Sequence, residues 1–200
     1  MEAMSDLYAE ALLTFRELLD EARVSGDPEP TAMTLATAGA DGRVSARTVL
    51  LKSFDERGFV FYTNTHSLKG RQLAENPHCA LLFLWKRLRN QVQARVEGTV
   101  SPVSAVEADA YFASRPRVSQ LGAWASKQSA TLPERRFFDE RLARLERELE
   151  DSPVPRPPHW SGYRVAPRTI EFWYGAEYRL HDRDVYESRG DHWTRRKVYP

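Results

Sequence analysis

Four short segments carry the residue types that bind phosphate, and none of them belongs to a familiar nucleotide-binding motif. Arg and Lys supply charge-assisted hydrogen bonds to an anion, and Ser, Thr and Tyr add hydroxyl donors. The chain has no Gly-rich phosphate loop, no Cys or His spacing typical of a metal site and no Gly-x-Ser-x-Gly elbow, so we expect no metal. The segments are residues 47–64, 67–71, 111–120 and 171–183.

The first segment has a cation near each end of a predicted strand, Arg47 and Lys52, followed after a turn by Tyr62 and Thr63. Side chains alternate between the two faces of a strand, so the odd separation of the cations places them on opposite faces unless a bulge intervenes. The two cations are then suited to different anions. Ordinary strand-end cations in solvent are the alternative interpretation.

The second and third segments both involve helix ends. Ser67 begins a predicted helix, where free backbone N–H groups and a hydroxyl favour a phosphate; a capped helix with a solvated Lys69 explains the pattern equally well. In the third segment Tyr111, Arg115 and Ser119 follow one another closely at the end of a predicted helix. Solvated turn residues are the alternative there.

The fourth segment alternates Arg179, His181 and Arg183, which on an extended strand project to one face. Their mutual repulsion is costly without an anionic partner, so this spacing favours a ligand. Trp173 lies just upstream. Taken alone, a Trp is more often part of the core than a ring-stacking residue, and a lone His is more often structural than catalytic.

The overall composition is that of an ordinary globular chain, which we expect to form one domain over residues 1–200. The formal charge is +1, so no net charge attracts the protein to nucleic acid or an anionic membrane. The lone Cys79 lies in an apolar run, which excludes an intrachain disulfide and indicates a buried, inert thiol. The start lacks a basic region followed by an apolar stretch, so we expect a cytoplasmic protein.

Hydrophobic spacing predicts an amphipathic helix over residues 6–24 behind a Ser5 cap, followed by antiparallel strands between turn signals. Further helices are expected at 67–75, 105–113 and 133–149, with a polyproline-like link at 153–158. The fold class is therefore mainly β or α+β, an antiparallel barrel with peripheral helices. Strands are predicted at 32–38, 44–51, 59–63, 79–85, 92–102, 163–165 and 169–174 and around Arg179 and Trp193, the C-terminal strands (163–199) belonging to the same domain.

Taken together and in this order, the segments resemble the pyridoxamine 5′-phosphate oxidase family. The match extends from Pro30 to Pro200. The resemblance implies an FMN-binding split β-barrel that forms a homodimer, with FMN in two clefts at the subunit interface. The matching motifs are Arg-x-Val-Leu-Leu-Lys from Arg47, Phe-Tyr-Thr-Asn from Phe61, Tyr-Phe-x-Ser-Arg-Pro from Tyr111, Ser-Gln-Leu-Gly-Ala-Trp from Ser119, and Glu-Phe-Trp from Glu171 ahead of Arg-Leu-His-Asp-Arg.

The resemblance also implies roles for individual residues. The substrate phosphate would contact Lys52, Tyr111, Arg115 and Ser119, and Arg47 and Lys52 would thus serve two different phosphates. Arg179 and His181 would lie over the pyridine ring of the substrate and orient the reacting carbon, as the catalytic pair. The residues implied to bind FMN are Arg47, Thr48, Val49, Leu50, Leu51, Lys52, Tyr62, Thr63, Ser67, Lys69, Gln93, Gln128, Ser129, Trp173 and Arg183.

This chain departs from the family pattern at several positions. Leu68 stands where the family usually has Arg, which removes one cation near the FMN phosphate and predicts weaker FMN retention. Gln93 fits the spacing to the following Gly98, whereas Gln91 fits the count from Trp85; we prefer Gln93, because insertions fall more readily in turns than inside strands. Tyr174 replaces a common Gln, and the N-terminal segment that covers the substrate is short.

The implied reaction is oxidation of pyridoxamine or pyridoxine 5′-phosphate by oxygen, through FMN, to pyridoxal 5′-phosphate and hydrogen peroxide. One alternative is a related flavin oxidase of another ring substrate, such as a phenazine precursor. Another is a non-catalytic carrier or sensor of flavin or pyridoxal phosphate. Nucleic-acid binding by residues 195–197 is poorly supported, because three cations beside a Trp usually form a solvated edge.

Overall fold

A computed structural model describes residues 6–200 and shows one curled antiparallel sheet of nine strands with five α-helices. The helices are α1 (Asp6–Val24), α2 (Leu68–Glu75), α3 (Ala105–Ala113), α4 (Arg117–Ala125) and α5 (Arg135–Glu148). The strands are β1 (Ala32–Ala38), β2 (Val44–Leu50), β3 (Ser53–Asp55), β4 (Gly58–Asn64), β5 (His78–Trp85), β6 (Val92–Pro102), β7 (Trp160–Tyr174), β8 (Asp182–Ser188) and β9 (Trp193–Lys197).

The strand order is β2-β1-β5-β6-β7-β4-β3, with β8 also on β7 and β9 on β8. Strand β7 organises this arrangement. One of its edges pairs with β6 along its length, while the other pairs first with β4 and then with β8. Pro167, which has no N–H to donate, lies where the partner changes, opposite a bulge at Glu97/Gly98. The sheet therefore splits at the middle of β7.

The predicted N-terminal helix is confirmed, and it supplies much of the core. The buried residues of α1 recur on one face, as helical periodicity requires. Phe15 is fully buried, with ring centroids 4.9 Å from those of Phe54 and Phe59 and 5.0 Å from that of Phe83. Helix α1 thus closes the inner face of the sheet. The predicted cap, Ser5, lies outside the described residues.

The structure corrects the sequence-based elements at several places. The predicted strands 163–165 and 169–174 are one strand, β7, because the bulge carries the chain past Pro167. The segment around Arg179 is a 3-10 turn (Glu177–Arg179) and no strand, since Tyr178 and Arg179 both have left-handed φ angles, 55° and 63°. The prediction that Arg179, His181 and Arg183 project to one face of an extended strand was therefore wrong. Helix α4 and the short strand β3 were missed.

The predicted bounds of several other elements are met within a residue or two. Strands β1 and β6 and helix α3 have the predicted bounds, and residues 153–157 form neither helix nor strand. Cys79 is buried, and burial raises the pKa of its thiol to about 12, which makes it inert. Over residues 6–200 we find no helix with the length and apolar character needed to cross a membrane. The same residues contain no group of three or more potential His, Cys, Asp or Glu metal ligands.

Replacing Phe15 with Ala is expected to lower the free energy of unfolding by about 3–5 kcal/mol, because a cavity opens among four aromatic side chains. The exposed Leu13, on the same helix, is the matched control: Leu13→Ala should stay within about 0.5 kcal/mol. Urea unfolding followed by circular dichroism measures both. Equal effects of the two substitutions would contradict the position of α1 in the core.

Candidate functional site

A cavity of about 730 Å³ opens between β2, β4 and the ends of α2, α3 and α4. Strand β2 is the last strand at one end of the sheet, so one of its backbone edges is not paired by another strand. Lys52 follows β2 and does not lie on the strand, which ends at Leu50; strand alternation therefore does not govern its direction. The predicted residues that line the cavity are Thr48, Val49, Leu50, Lys52, Tyr62, Thr63, Lys69, Tyr111, Arg115, Ser119 and Gln128.

Lys69 is a buried cation with neutral partners. Ser67 caps α2 by accepting a hydrogen bond from the Gly70 N–H, and this places Lys69 in the first turn of the helix. Its Nζ donates to Thr63 Oγ1 at 3.1 Å, to Gln128 Oε1 at 3.0 Å and to Ser67 Oγ at 3.4 Å. Burial, with a smaller contribution from nearby Arg47, lowers the pKa of the Lys69 amine. An anion at this point would relieve both effects.

Arg47 is held beside Lys69 by a second neutral group of partners. Its guanidinium donates to the Thr37 hydroxyl, to the Leu35 carbonyl at 3.3 Å and to Gln72 Oε1 at 3.4 Å. Burial lowers the pKa of Arg47, although an Arg stays protonated. Gln72 is a residue that the sequence analysis missed. It lies on α2 and faces β1, a contact that no local pattern predicts.

Arg115 is a half-buried cation of the cavity, with one nitrogen of its guanidinium fully buried. Its guanidinium carbon lies 4.8 Å from the centroid of Trp160 and 5.6 Å from that of Phe112. Its Nη1 is buried and has no hydrogen-bond partner among the described residues. Burial lowers the pKa of Arg115. A buried donor without a partner costs about 1–3 kcal/mol, so this atom indicates a ligand that supplies an acceptor.

Three stacked aromatic rings form one wall of the cavity. Tyr62 lies 4.1 Å from Tyr111 and 5.2 Å from Trp160 between ring centroids, with nearly parallel planes. Tyr62 and Tyr111 were predicted as site residues, and Trp160 was missed. Trp160 is the first residue of β7, shortly after the proline-rich link, and it belongs to none of the motifs used in the sequence analysis. The Trp160 ring of this stack lies against the Arg115 guanidinium, and the three rings together give the cavity a flat apolar wall.

A second group of predicted residues lies elsewhere, on the outer face of the sheet. Cross-strand pairing puts Gln93 of β6, Trp173 of β7 and Arg183 of β8 in one row. His181 lies against Trp173, with ring centroids 4.4 Å apart, and its Nδ1 accepts from the Ala176 N–H at 3.2 Å. Arg179 is exposed on the 3-10 turn. We call these five residues the outer-face cluster.

None of the five residues of the outer-face cluster lines the cavity of the same chain. Trp160 and Trp173 begin and nearly end β7, thirteen positions apart. At ~3.3 Å per residue this corresponds to about 40 Å along the strand. The structure thus groups the predicted site residues into two sets and does not bring the sets together within one chain.

Four further predicted residues belong neither to the lining of the cavity nor to the outer-face cluster. Leu51 is buried in the core and Ser67 serves as the α2 cap. Arg47 lies behind Lys69, as described above. Ser129 has a left-handed φ of 70°, and its hydroxyl accepts from the Leu68 N–H at 3.1 Å. Strain of this kind in a residue other than Gly is often found at ligand sites.

Comparison with known proteins adds to this geometry. A family model described as "Pyridoxamine 5'-phosphate oxidase" matches residues 19–147. A second, described as "Pyridoxine 5'-phosphate oxidase C-terminal dimerisation region", matches residues 160–200. Both β7 and the outer-face cluster, except Gln93, lie within the second match.

Named relatives match over nearly the full chain. A pyridoxine/pyridoxamine 5'-phosphate oxidase of Xanthomonas euvesicatoria is 59% identical over 199 residues, which are 98% of this chain and 100% of the relative. One from Gluconobacter oxydans is 53% identical and covers 98% of this chain and 96% of the relative.

Solved structures share the fold. PhzG from Burkholderia lata, in complex with tetrahydrophenazine-1-carboxylic acid, has a TM-score of 0.89 at 32% identity and covers 100% of this chain and 99% of its own. An FMN-binding protein from Nostoc punctiforme has a TM-score of 0.73 at 18% identity, covering 94% and 96%. The expected split-barrel fold is confirmed. The chain belongs to the pyridoxamine 5′-phosphate oxidase family.

Proposed function

We propose that the protein catalyses the FMN-dependent oxidation of pyridoxamine and pyridoxine 5′-phosphate by oxygen, giving pyridoxal 5′-phosphate and hydrogen peroxide. The observation that carries this proposal is the presence of two separate cations on one cavity, the buried Lys69 and the half-buried Arg115, without carboxylate partners in the hydrogen bonds described above. The reaction needs two phosphate sites, one for FMN and one for the substrate. The family membership and the named relatives support the same assignment.

The residues at the first cation fit FMN. Lys69 and Arg47 would supply positive charge to its phosphate at the N-terminus of α2, where the helix dipole adds further positive potential. The unpaired edge of β2 offers backbone N–H and C=O groups to a polar ring, so that Thr48, Val49 and Leu50 contribute through main chain whatever their side chains. Leu68 is partly exposed here and adds no charge.

The residues at the second cation fit a smaller phosphorylated ring. Arg115, Lys52 and Ser119 provide donors around one end of the cavity, and the ring of Tyr111 lies in the stacked wall beside them. Arg115 Nη1 would gain its missing acceptor from the substrate phosphate. Anchoring the phosphate holds the substrate in a fixed position, and such positioning contributes several kcal/mol to a lowered barrier.

We infer that the outer-face cluster completes the site of a second subunit. No residue of the cluster lines the cavity of its own chain, although the family resemblance assigns both sets to the same two ligands. The outer face around the cluster includes the half-exposed Thr34 and Leu82 and the exposed Leu84, a partly apolar surface suited to a homodimer interface. The match to a dimerisation region over residues 160–200 agrees with this.

In that dimer, Arg179 and His181 would orient the reacting carbon, with His181 fixed by its contacts to Trp173 and the Ala176 N–H. Bound FMN would supply the redox chemistry, taking a hydride from the substrate and passing the electrons to oxygen. For the FMN-contacting Gln we keep Gln93, which shares a row with Trp173; Gln91 lies in the preceding turn with φ 80°, and its carbonyl accepts from the Gly175 N–H.

Oxidation of another ring substrate is the competing function. It is supported by the PhzG structure, whose ligand is a tetrahydrophenazine carboxylic acid and which is 32% identical to this chain. The unpartnered Arg115 donor suits a phosphate or a ring carboxylate equally, so it does not separate the two functions. The 53–59% identity to named pyridoxine/pyridoxamine 5'-phosphate oxidases favours the B6 substrates.

The direct test is an aerobic assay of the full chain supplemented with FMN. We expect pyridoxal 5′-phosphate and hydrogen peroxide to form in equal amounts from each precursor, with no turnover of either precursor when FMN is left out. Flavin binding without either product would contradict the substrate assignment and favour a related ring oxidase or a carrier.

Mixing two impaired variants, assayed at a substrate concentration well below the KM of the unaltered chain, tests whether subunits share the site. Arg115→Ala damages the cavity and Arg179→Ala damages the outer-face cluster, so a mixed dimer regains one intact site from the undamaged halves. Random exchange makes about half of the dimers mixed, and activity should return to about one quarter of the unaltered level. Each variant mixed with itself is the control. If activity does not return although mixed dimers are shown to form, each site belongs to one chain.

Arg115→Ala should act on the phosphate of the substrate. Losing a charge-assisted hydrogen bond of about 1.5–3 kcal/mol predicts a KM for pyridoxamine 5′-phosphate that is higher by about 10- to 100-fold. Unphosphorylated pyridoxamine, a poor substrate, should be affected little. The matched control is Arg43→Ala, which removes a strongly exposed guanidinium. Equal losses with both substrates would show that Arg115 does not bind the phosphate.

A further inference from the structure

Glu171 is a buried carboxylate between two guanidinium groups on the outer face of the sheet. Its side chain is only 3% exposed. Oε1 accepts from Arg183 Nε at 2.7 Å and lies 2.6 Å from Arg183 Nη2, and Oε2 accepts from Arg95. Each carboxylate oxygen is thus bound by a different strand, β8 on one side and β6 on the other.

These contacts determine how Arg183 is directed. Two of its nitrogens contact Glu171, and the third, Nη1, donates to the Tyr199 carbonyl at 3.0 Å. A guanidinium bound through all three nitrogens keeps one orientation, whereas a free Arg samples many rotamers. Arg183 is also the cross-strand neighbour of Trp173. The carboxylate therefore fixes one member of the outer-face cluster without belonging to it.

Glu171 also balances the charge of this surface. Without it, Arg95 and Arg183 would be two cations on neighbouring positions of one sheet face, with only the more exposed Glu97 near Arg95. Burial alone raises the pKa of Glu171, but the hydrogen bonds and charges of Arg95 and Arg183 outweigh it and hold the pKa below its usual range. The carboxylate is therefore ionised at neutral pH.

We propose that Glu171 is a positioning residue for the flavin, which acts by holding the guanidinium of Arg183 in the orientation that contacts FMN. This inference rests on the proposed function, because the contact of Arg183 with FMN is implied by the family resemblance and depends on the shared site proposed above. Glu171 itself touches neither ligand. Its effect on FMN binding must then depend on Arg183. This dependence distinguishes a positioning role of Glu171 from a general effect on folding.

The test is a double-mutant cycle on FMN affinity, measured by flavin fluorescence with the full chain. Glu171→Gln keeps the shape of the side chain and removes its charge. We expect it to weaken FMN binding by roughly tenfold, within the range of coupling inside one hydrogen-bonded network. In an Arg183→Ala background the same substitution should change the affinity by less than about twofold, since its route of action is gone.

Glu97→Gln is the matched control, because Glu97 pairs with Arg95 but not with Arg183, and it should leave FMN affinity unchanged. If Glu171→Gln does not fold, the double variant Glu171→Gln with Arg95→Gln restores the charge balance, and it should fold and still bind FMN weakly. Full FMN affinity in that variant would overturn the proposal.

Three other outcomes are decisive. Equal weakening by Glu171→Gln in both backgrounds would mean a structural role and overturn the positioning proposal. An Arg183→Ala variant with full FMN affinity would overturn it as well, by removing Arg183 from the flavin site. Failure of the unaltered chain to bind FMN would instead overturn the proposed function, and the positioning role with it.

Discussion

Strand β7 imposes the constraint on which the arrangement of the site depends. Its fifteen residues run from the cavity, where Trp160 joins the aromatic stack, to the outer face, where Trp173 contacts His181. A strand of this length cannot fold back, so its two ends stay apart whatever their side chains prefer. The sheet tolerates the length because β7 changes partner at Pro167, from β4 to β8. The separation of the two residue sets, and the proposal that two subunits share the site, follow from this.

Uncompensated positive charge is the second feature that the site requires. Several partly buried cations elsewhere are paired with carboxylates, as in the contacts of Arg164 with Asp55 and Glu107. At the cavity the partners of Lys69 are neutral, and one nitrogen of Arg115 has none among the described residues. Burial of cations in this way costs stability and is retained where an anion binds. The aromatic stack and the α2 cap hold these cations in place.

The outer face shows the opposite solution, in which Arg95 and Arg183 share the buried carboxylate of Glu171. Glu171, together with Glu97 beside Arg95, offsets the charge of the two guanidinium groups, and the contacts give Arg183 a fixed direction. Removing one partner of such a buried group is usually more damaging than the net contribution of the pair suggests. The two solutions fit their proposed roles, since the cavity must receive phosphates while the outer face must pack against a second chain.

The sequence by itself determined the elements that have strong periodicity and the order of the motifs. Helix α1 and strands β1 and β6 were predicted closely, because their apolar residues repeat every 3.6 or two positions. Local patterns failed where backbone conformation or distant contacts decide. Arg179 lies on a left-handed turn whereas Arg183 lies on β8, so the charges at 179–183 do not share one strand. Gln72 and Trp160 acquire their positions only through partners on other elements. Only the tertiary structure divided the candidate residues into a cavity and an outer face, because spacing along the chain does not specify which end of a long strand each residue occupies.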